Sequence, residues 1–271
     1  MDSLSSLFSR FSLNARVFYT GNLCSIVDFD EQPGLGHLHV MREGHLQVQR
    51  PGKATLDISE PSLLFYPRPH QHRFHADAPG GATLVCATID FGAGMGNPLL
   101  QALPDFLLIP LASIEGIDAT LALLFQEAFT DLKGRQTAIN LLTEYFLVLM
   151  LRHVIHANLV KAGVLAALAD PRLTKAIAAM HEHPEQEWSL ESLGRTAGMS
   201  RARFAAHFHQ TIGATPLNYL TDWRISLAQA MLKKGKAVKF IAPLVGYSSP
   251  VALTRVFTRR VGMSPSQWLA G

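Results

Sequence analysis

Histidine is the side chain most suited to binding metals or moving protons near neutral pH, and this chain of 271 residues carries 12 of them. Four lie in two short stretches. His37 and His39 alternate within Gly36–Met41, and Glu43 follows His39 by four residues. In an uninterrupted strand these three share a parity and therefore a face. His70 and His72 share a face in the same way, just after Pro67-Arg68-Pro69. Neutral imidazoles with one carboxylate form a donor set that suits a divalent transition metal such as Zn, Ni, Fe or Mn. The candidate ligands are His37, His39, Glu43 and His72. A polar pocket without metal accommodates the same residues, and His45 and His75 read as exposed strand ends.

A second set of residues is cationic. From Pro171 onward the chain has 13 Lys/Arg against 5 Asp/Glu, whereas residues 1–170 have 11 against 16. A basic tail on an acidic head points to a polyanionic partner for the tail. Within that tail the sequence repeats at a constant offset of 49: Phe204 matches Leu253, Phe208 matches Phe257, and Ile212 matches Val261. Gly213 and Gly262, Pro216 and Pro265, and Tyr219 and Trp268 keep the same offset. A repeat of this length marks a duplicated supersecondary unit.

The elements that must position these residues follow from periodicity. Residues 23–91 hold short apolar runs separated by Gly, Pro and Asp turns, the pattern of an antiparallel sandwich or small barrel. From about residue 111 the period becomes helical: Leu121, Leu124, Phe125 and Ala128, then Ile139, Leu142, Phe146 and Leu149. The second of these helices is apolar around much of its circumference, so it packs on two neighbours or forms a homodimer contact. Ala157 to Ala169 reads as a linker ending at Asp170-Pro171, where Asp170 caps a new helix. His181 and His183 read as a solvated helix terminus beside Pro184.

In the tail Ser189 caps a short helix that ends at Gly198, and Ser200 caps a second helix burying Phe204, Phe208 and Ile212. A short helix, a glycine turn and a second helix make a helix-turn-helix. The second copy runs through Ile241, Gly246-Tyr247 and Ser249, with Leu253 and Phe257 buried. Pro243 is discordant inside its helix. The helix faces leave Ala202, Ala205, Ala206 and His209 outward in the first copy, flanked by Arg201 and Arg203. Pro250, Val251, Thr254 and Arg255 face outward in the second. Arg255 suits a guanine contact, with a phosphate contact or an intradomain ion pair as alternatives. Arg201, Lys239, Arg259 and Arg260 suit backbone phosphates.

Two family resemblances arise on these residues. His-x-His-x-x-x-Glu followed by Pro-x-x-x-x-His resembles the metal-binding motifs of the cupin barrels, although Gly44 follows Glu43 at once and Pro69 stands near the place of an expected glycine. That resemblance implies His37, His39, Glu43 and His72 around one divalent metal. Gly198-Met199-Ser200, Phe204, Phe208, Gly213, Pro216, Trp223-Arg224, Ile241-Ala242, Gly246-Tyr247, Ser249, Arg255, Phe257, Gly262 and Pro265 resemble the DNA-binding domain of the AraC/XylS regulators. It implies two recognition helices from one chain entering successive major grooves of double-stranded promoter DNA.

The expected architecture is therefore α+β and multi-domain. It comprises a cupin-like β-barrel over 1–110, a helical dimerisation or linker segment over 111–170, and an all-α domain with two helix-turn-helix units over 171–271. The expected function is a DNA-binding transcription regulator whose head senses a small molecule or a metal, not an enzyme. The alternative is a cupin-type metalloenzyme or metal-dependent sensor with a helical DNA-binding appendage. Two distant cysteines, Cys24 and Cys86, and a start without a basic, apolar leader point to buried, reduced thiols in a cytoplasmic protein. The apolar run Ile139–Leu151 is short for a membrane span and contains Glu144.

Overall fold

The computed structural model describes residue 4 and residues 13–76, 80–91 and 97–270. Leu4, Leu7, Phe8 and Phe11 read in the sequence as a short amphipathic opening, and all but Leu4 lie outside these residues. Two compact units emerge among the described residues. One comprises 13–91 with 103–157, the other 97–102 with 158–270.

The first unit is built on strands β1 (Asn14–Leu23), β2 (Ile26–Phe29), β3 (Gly36–Gly44), β4 (Leu46–Gln49), β5 (Leu56–Ile58), β6 (Ser62–Tyr66), β7 (His72–His75), β8 (Ala82–Asp90) and β9 (Leu107–Pro110). They form a five-stranded sheet in the order β1-β8-β3-β6-β9 and a four-stranded sheet in the order β2-β7-β4-β5, with antiparallel pairing throughout. Leu23, Phe29, Met41, Leu46, Val48, Leu64, Phe74 and Leu84 form a shared buried core. Among the described residues the head is thus a two-sheet sandwich, not closed into a barrel.

The β1 edge of the larger sheet is covered by a helix. After α1 (Pro98–Ala102) in the other unit, helices α2 (Ile117–Ala128) and α3 (Arg135–His156) complete this one. On α3, Glu144 accepts from Ala15 N (3.1 Å), Asn140 accepts from Val17 N (2.9 Å), and Gln136 donates to Val17 O (2.9 Å). Side chains thus satisfy edge groups that would otherwise seek a strand. Arg135–His156 is long and apolar enough to cross a bilayer by length and composition. Here it packs on β1 and α2 and buries Ile139, Phe146, Leu147, Met150 and Leu151. Cys86 is buried, but Cys24 is exposed, because it sits in the two-residue turn between β1 and β2.

The second unit continues with α4 (Val164–Ala169), α5 (Leu173–Glu182), α6 (Leu190–Thr196), α7 (Arg201–Ile212), α8 (Pro216–Lys233), α9 (Val238–Leu244), α10 (Pro250–Val261) and α11 (Pro265–Ala270). The stretch read as a linker contains α4, whose Val164, Leu165 and Ala167 are buried and which packs on α1, α5 and α7. Asp170 accepts from the amides of Arg172 and Leu173 and from His207 Nε2 at 2.6 Å, tying the start of α5 to α7. Burial raises the Asp170 carboxyl, but these donors outweigh it and hold it at about 2. A carboxyl depressed in the fold stabilises above its unfolded value and loses that stability as pH falls toward the folded one. Melting of the wild type is therefore expected to drop between about pH 4 and pH 2 by on the order of 2 kcal/mol from this residue. Asp170→Asn should be less stable at pH 6 and show a shallower fall; an identical acid profile for both proteins would remove Asp170 from the account.

His181 corrects the sequence reading. It is fully buried, stacks on Trp223 with centroids 3.6 Å apart, and bonds the Tyr219 hydroxyl at 2.7 Å. Its helix position, one turn beyond Ile177, faces the core. Only His183 is exposed.

Candidate metal centre and nucleic-acid interface

The histidine cluster forms between the two sheets. His37 and His39 project from β3 of the larger sheet, and His72 from β7 of the smaller. All three are buried, at 2%, 0% and 1% exposure. One ring nitrogen from each lies within 4.8 Å of the other two, an arrangement able to hold a metal ion. His39 Nε2 and His72 Nε2 are 2.9 Å apart. That is a hydrogen-bond length; two imidazole nitrogens about 2.05 Å from one tetrahedral ion would be about 3.3 Å apart, so the pair needs only a small widening to share an ion.

Aromatic rings fix the cluster. Phe29, opposite His72 in the β2–β7 register, stacks on it with centroids 4.8 Å apart and 11° between planes. Tyr66 stacks on the other side at 4.0 Å, and Phe74 contacts His39 at 4.6 Å. This low-dielectric shell disfavours imidazolium. Burial alone lowers His37. Burial, joined by repulsion from His72 and His37, puts His39 well below the usual imidazole value, and burial brings His72 to about 3. Neutral rings keep a lone pair for a ligand bond. The His72 Nδ1–H donates to His70 O at 3.0 Å, leaving its Nε2 free to accept or ligate. His39 Nδ1, which points away from His72, is buried without a hydrogen-bond partner. The donor set fits a borderline divalent cation.

Glu43 does not join them. The β3–β8 register shifts between Met41 and Glu43, so Arg42 is an extra residue and the alternation inverts. Glu43 is exposed and accepts from the Thr83 hydroxyl at 3.3 Å. His70 is also apart, its Nδ1 bonded to Gln71 O.

In the helical unit the two copies superimpose in their local logic. The helices α7 and α10 are each 12 residues long. Ser200 and Ser249 cap them by accepting from Arg203 N and Ala252 N, and Gly213 and Gly262 end them at φ 83° and 87°. Phe204 and Phe208 are buried in one, Leu253 and Phe257 in the other. Each packs on its preceding helix, α6 or α9, and both touch α8. Pro243 is the sixth residue of α9, beyond its first turn, so the helix tolerates it internally.

Outward residues are Arg201, Ala202, Arg203, Ala206 and His209 on α7, with Ala205 half-buried. On α10 they are Pro250, Val251, Arg255 and Arg259, with Thr254 half-buried. At the repeat offset Ala205 corresponds to Thr254, and Ala206 to Arg255. Lys239 is exposed beside Phe240. Arg260 is engaged internally: its Nε lies 3.2 Å from Asp222 and its Nη2 donates to Asn218 at 2.9 Å.

Arg224 holds the second turn in place. It donates to Pro184 O (2.7 Å) and Gln186 O (2.9 Å) and lies 5.7 Å over Tyr247. Gly246, at φ +78°, leaves room for it; a Cβ there would lie 2.6 Å from Arg224 Nη2 and 2.9 Å from Pro184 O. Gly246→Ala is therefore expected to destabilise this unit by about 1–3 kcal/mol or more. Chemical denaturation of the variant checks this, and unchanged stability would contradict it.

A sandwich with a buried ligand-type cluster, joined to paired helix-turn-helix units, defines a two-domain DNA-binding regulator. Residues 2–156 match the cupin family model, and residues 193–271 match the helix-turn-helix domain model. The chain is 32% identical to a putative AraC-like transcription regulator of Streptomyces lividans, over 98% of this chain and 96% of that protein. It is 30% identical to an uncharacterized HTH-type transcriptional regulator of Haemophilus influenzae, over 99% and 97% respectively. Among solved structures it is similar to the DNA-binding domain of AdpA in complex with a target DNA, at 34% identity over 37% of this chain and 91% of that one, with a TM-score of 0.35. The chain belongs to the AraC family of transcription regulators that carry an N-terminal cupin domain.

Proposed function

We propose that this regulator senses a divalent transition metal at His37, His39 and His72, alone or together with a small-molecule effector, and that the bound state alters its affinity for promoter DNA. The observation that carries the reading is the convergence of three buried, neutral histidines from two different sheets. When bound, the ion supplies a positive charge that ties one sheet to the other. The chain's own part is to keep the imidazoles neutral and to orient His72 through the His70 carbonyl. Catalytic turnover forms no part of this reading, and a cytoplasmic location accords with bacterial relatives named as transcription regulators.

On the DNA side, Ser200, Arg201, Ala202, Arg203, Ala205, Ala206 and His209 form the first reading surface. Ser249, Pro250, Val251, Thr254 and Arg255 form the second, with Lys239, Arg259 and any part of Arg260 left free by Asp222 on phosphates. A homodimer through α2 and α3 is supported by the exposed Leu123, Phe129, Leu141 and Tyr145. The test uses metal-stripped full-length protein on its own promoter DNA, with Zn, Ni, Fe(II) or Mn added singly. At least one metal is expected to change the dissociation constant several-fold. Absence of metal uptake, or uptake with unchanged DNA affinity, would reject the sensing role.

A further inference from the structure

We propose that a small cavity beside the histidine cluster binds a small, polar organic carboxylate through the guanidinium of Arg50. The inference deepens the effector-sensing reading by giving the effector a chemical class, and it does not require a metal at the histidines. The cavity is an open, solvent-accessible pocket of about 280 Å³, lined by Asp28, Gln49, Arg50, Gln71, His72 and Arg73 among others. That volume lies just below the usual range of ligand pockets, which restricts the occupant to a small molecule.

Of its three charged side chains, two neutralise each other. Arg73 donates to Asp28 through Nε at 2.6 Å and Nη2 at 3.1 Å. Arg50 has no carboxylate partner among the described residues. Its Nε is buried without a hydrogen bond, and its guanidinium lies 4.3 Å from the centre of the Phe106 ring. A buried N–H normally has an acceptor, and a carboxylate is the acceptor that a guanidinium fork matches best. Arg50 continues the parity of Leu46 and Val48, the inward residues of β4, so it is carried toward the core and not into solvent.

A second unsatisfied group stands nearby. The Tyr66 hydroxyl, behind the pocket lining, is buried and unbonded, and its ring stacks on His72 and lies 4.9 Å from Phe106. The lining thus combines one positive charge without a carboxylate partner, the imidazole of His72 and the amides of Gln49 and Gln71. A carboxylate matches the planar guanidinium. A single negative charge matches the net charge of the lining, since a dianion would also face Asp28. The amides offer partners to a hydroxyl or carbonyl next to the carboxylate, and the polar lining offers little to a large apolar body.

The test is calorimetric titration of metal-stripped full-length protein, without DNA, using sodium lactate as the probe at an ionic strength held with NaCl. Saturable one-to-one binding is expected. Arg50→Gln should weaken it on the order of tenfold or more, and Arg50→Lys by less, because a point charge replaces the fork. Should Arg50→Gln fail to fold, Gln71→Glu at an exposed position leaves the Arg50–Phe106 contact intact and should weaken binding similarly while melting like the wild type. Absence of saturable binding, unchanged affinity in both variants, or binding of sodium phosphate in place of lactate would overturn the proposal. Metal titration of the same variants reports on the histidine reading separately, since Arg50 and Gln71 are not among its ligands.

Discussion

His72→Ala is expected to abolish stoichiometric uptake of a divalent transition metal, and His39→Ala to do the same, whereas Glu43→Ala should leave uptake unchanged. The first two remove facing nitrogens only 2.9 Å apart from opposite sheets. The third removes a carboxylate that points away into solvent beside Thr83. Loss of a residue that merely supports a metal ligand typically costs 10–100-fold in affinity, so loss of a ligand itself should cost on the order of 100-fold or more. Competition against a chromophoric chelator, with elemental analysis of the dialysed protein, measures this directly. Each alanine also leaves a void among Phe29, Tyr66 and Phe74, so melting curves must accompany the titrations. The variant that separates the two possible ligand sets is Glu43→Ala. If it loses metal while His72→Ala retains it, the three-histidine site is wrong.

Arg255→Ala should weaken binding to the cognate promoter by about 1–3 kcal/mol while hardly changing affinity for random DNA. Arg255 is exposed on the outer face of α10, and no ion pair holds it among the described residues. Its counterpart in the first copy is Ala206, so the first helix cannot make the same bidentate contact. Arg260→Ala gives the contrast. That side chain is already committed to Asp222 and Asn218, so its loss should appear as a lower melting point of the helical unit more than as a change in specificity. Fluorescence anisotropy on specific and scrambled duplexes over a salt series distinguishes the cases. Equal loss on both duplexes would show that Arg255 contacts phosphate only, and would leave sequence reading to Thr254 and to DNA shape.

Much of the helical half was legible because its signals are local. Serine caps, glycine stops at positive φ and a buried i, i+4 aromatic pair are each set within a dozen residues, and the repeat states them twice. The head was legible in type but less so in detail. In β1 an extra residue at Phe18 inverts the alternation, so Ala15 and Val17 lie on one face and Tyr19 and Leu23 on the other, and no single period runs through the strand. Strand β9 is only four residues long, too short for periodicity to distinguish. Arg50 carries a parity signal but, as a cation after a short strand, reads equally as a solvated end.

The sequence alone determined that two matched helix-turn-helix units follow a histidine-bearing β domain, because capping chemistry, helix period and strand parity depend on neighbours in the chain. Tertiary structure decided which of those side chains meet. A single extra residue at Arg42 turns Glu43 away from His37 and His39, and only the packing of one sheet on another brings His72 to His39. Burial against Trp223 makes His181 part of the core, and the approach of α8 to α10 takes Arg260 toward Asp222. Those are contacts between residues 33 to 42 positions apart, fixed by register and helix packing, to which local pattern is blind.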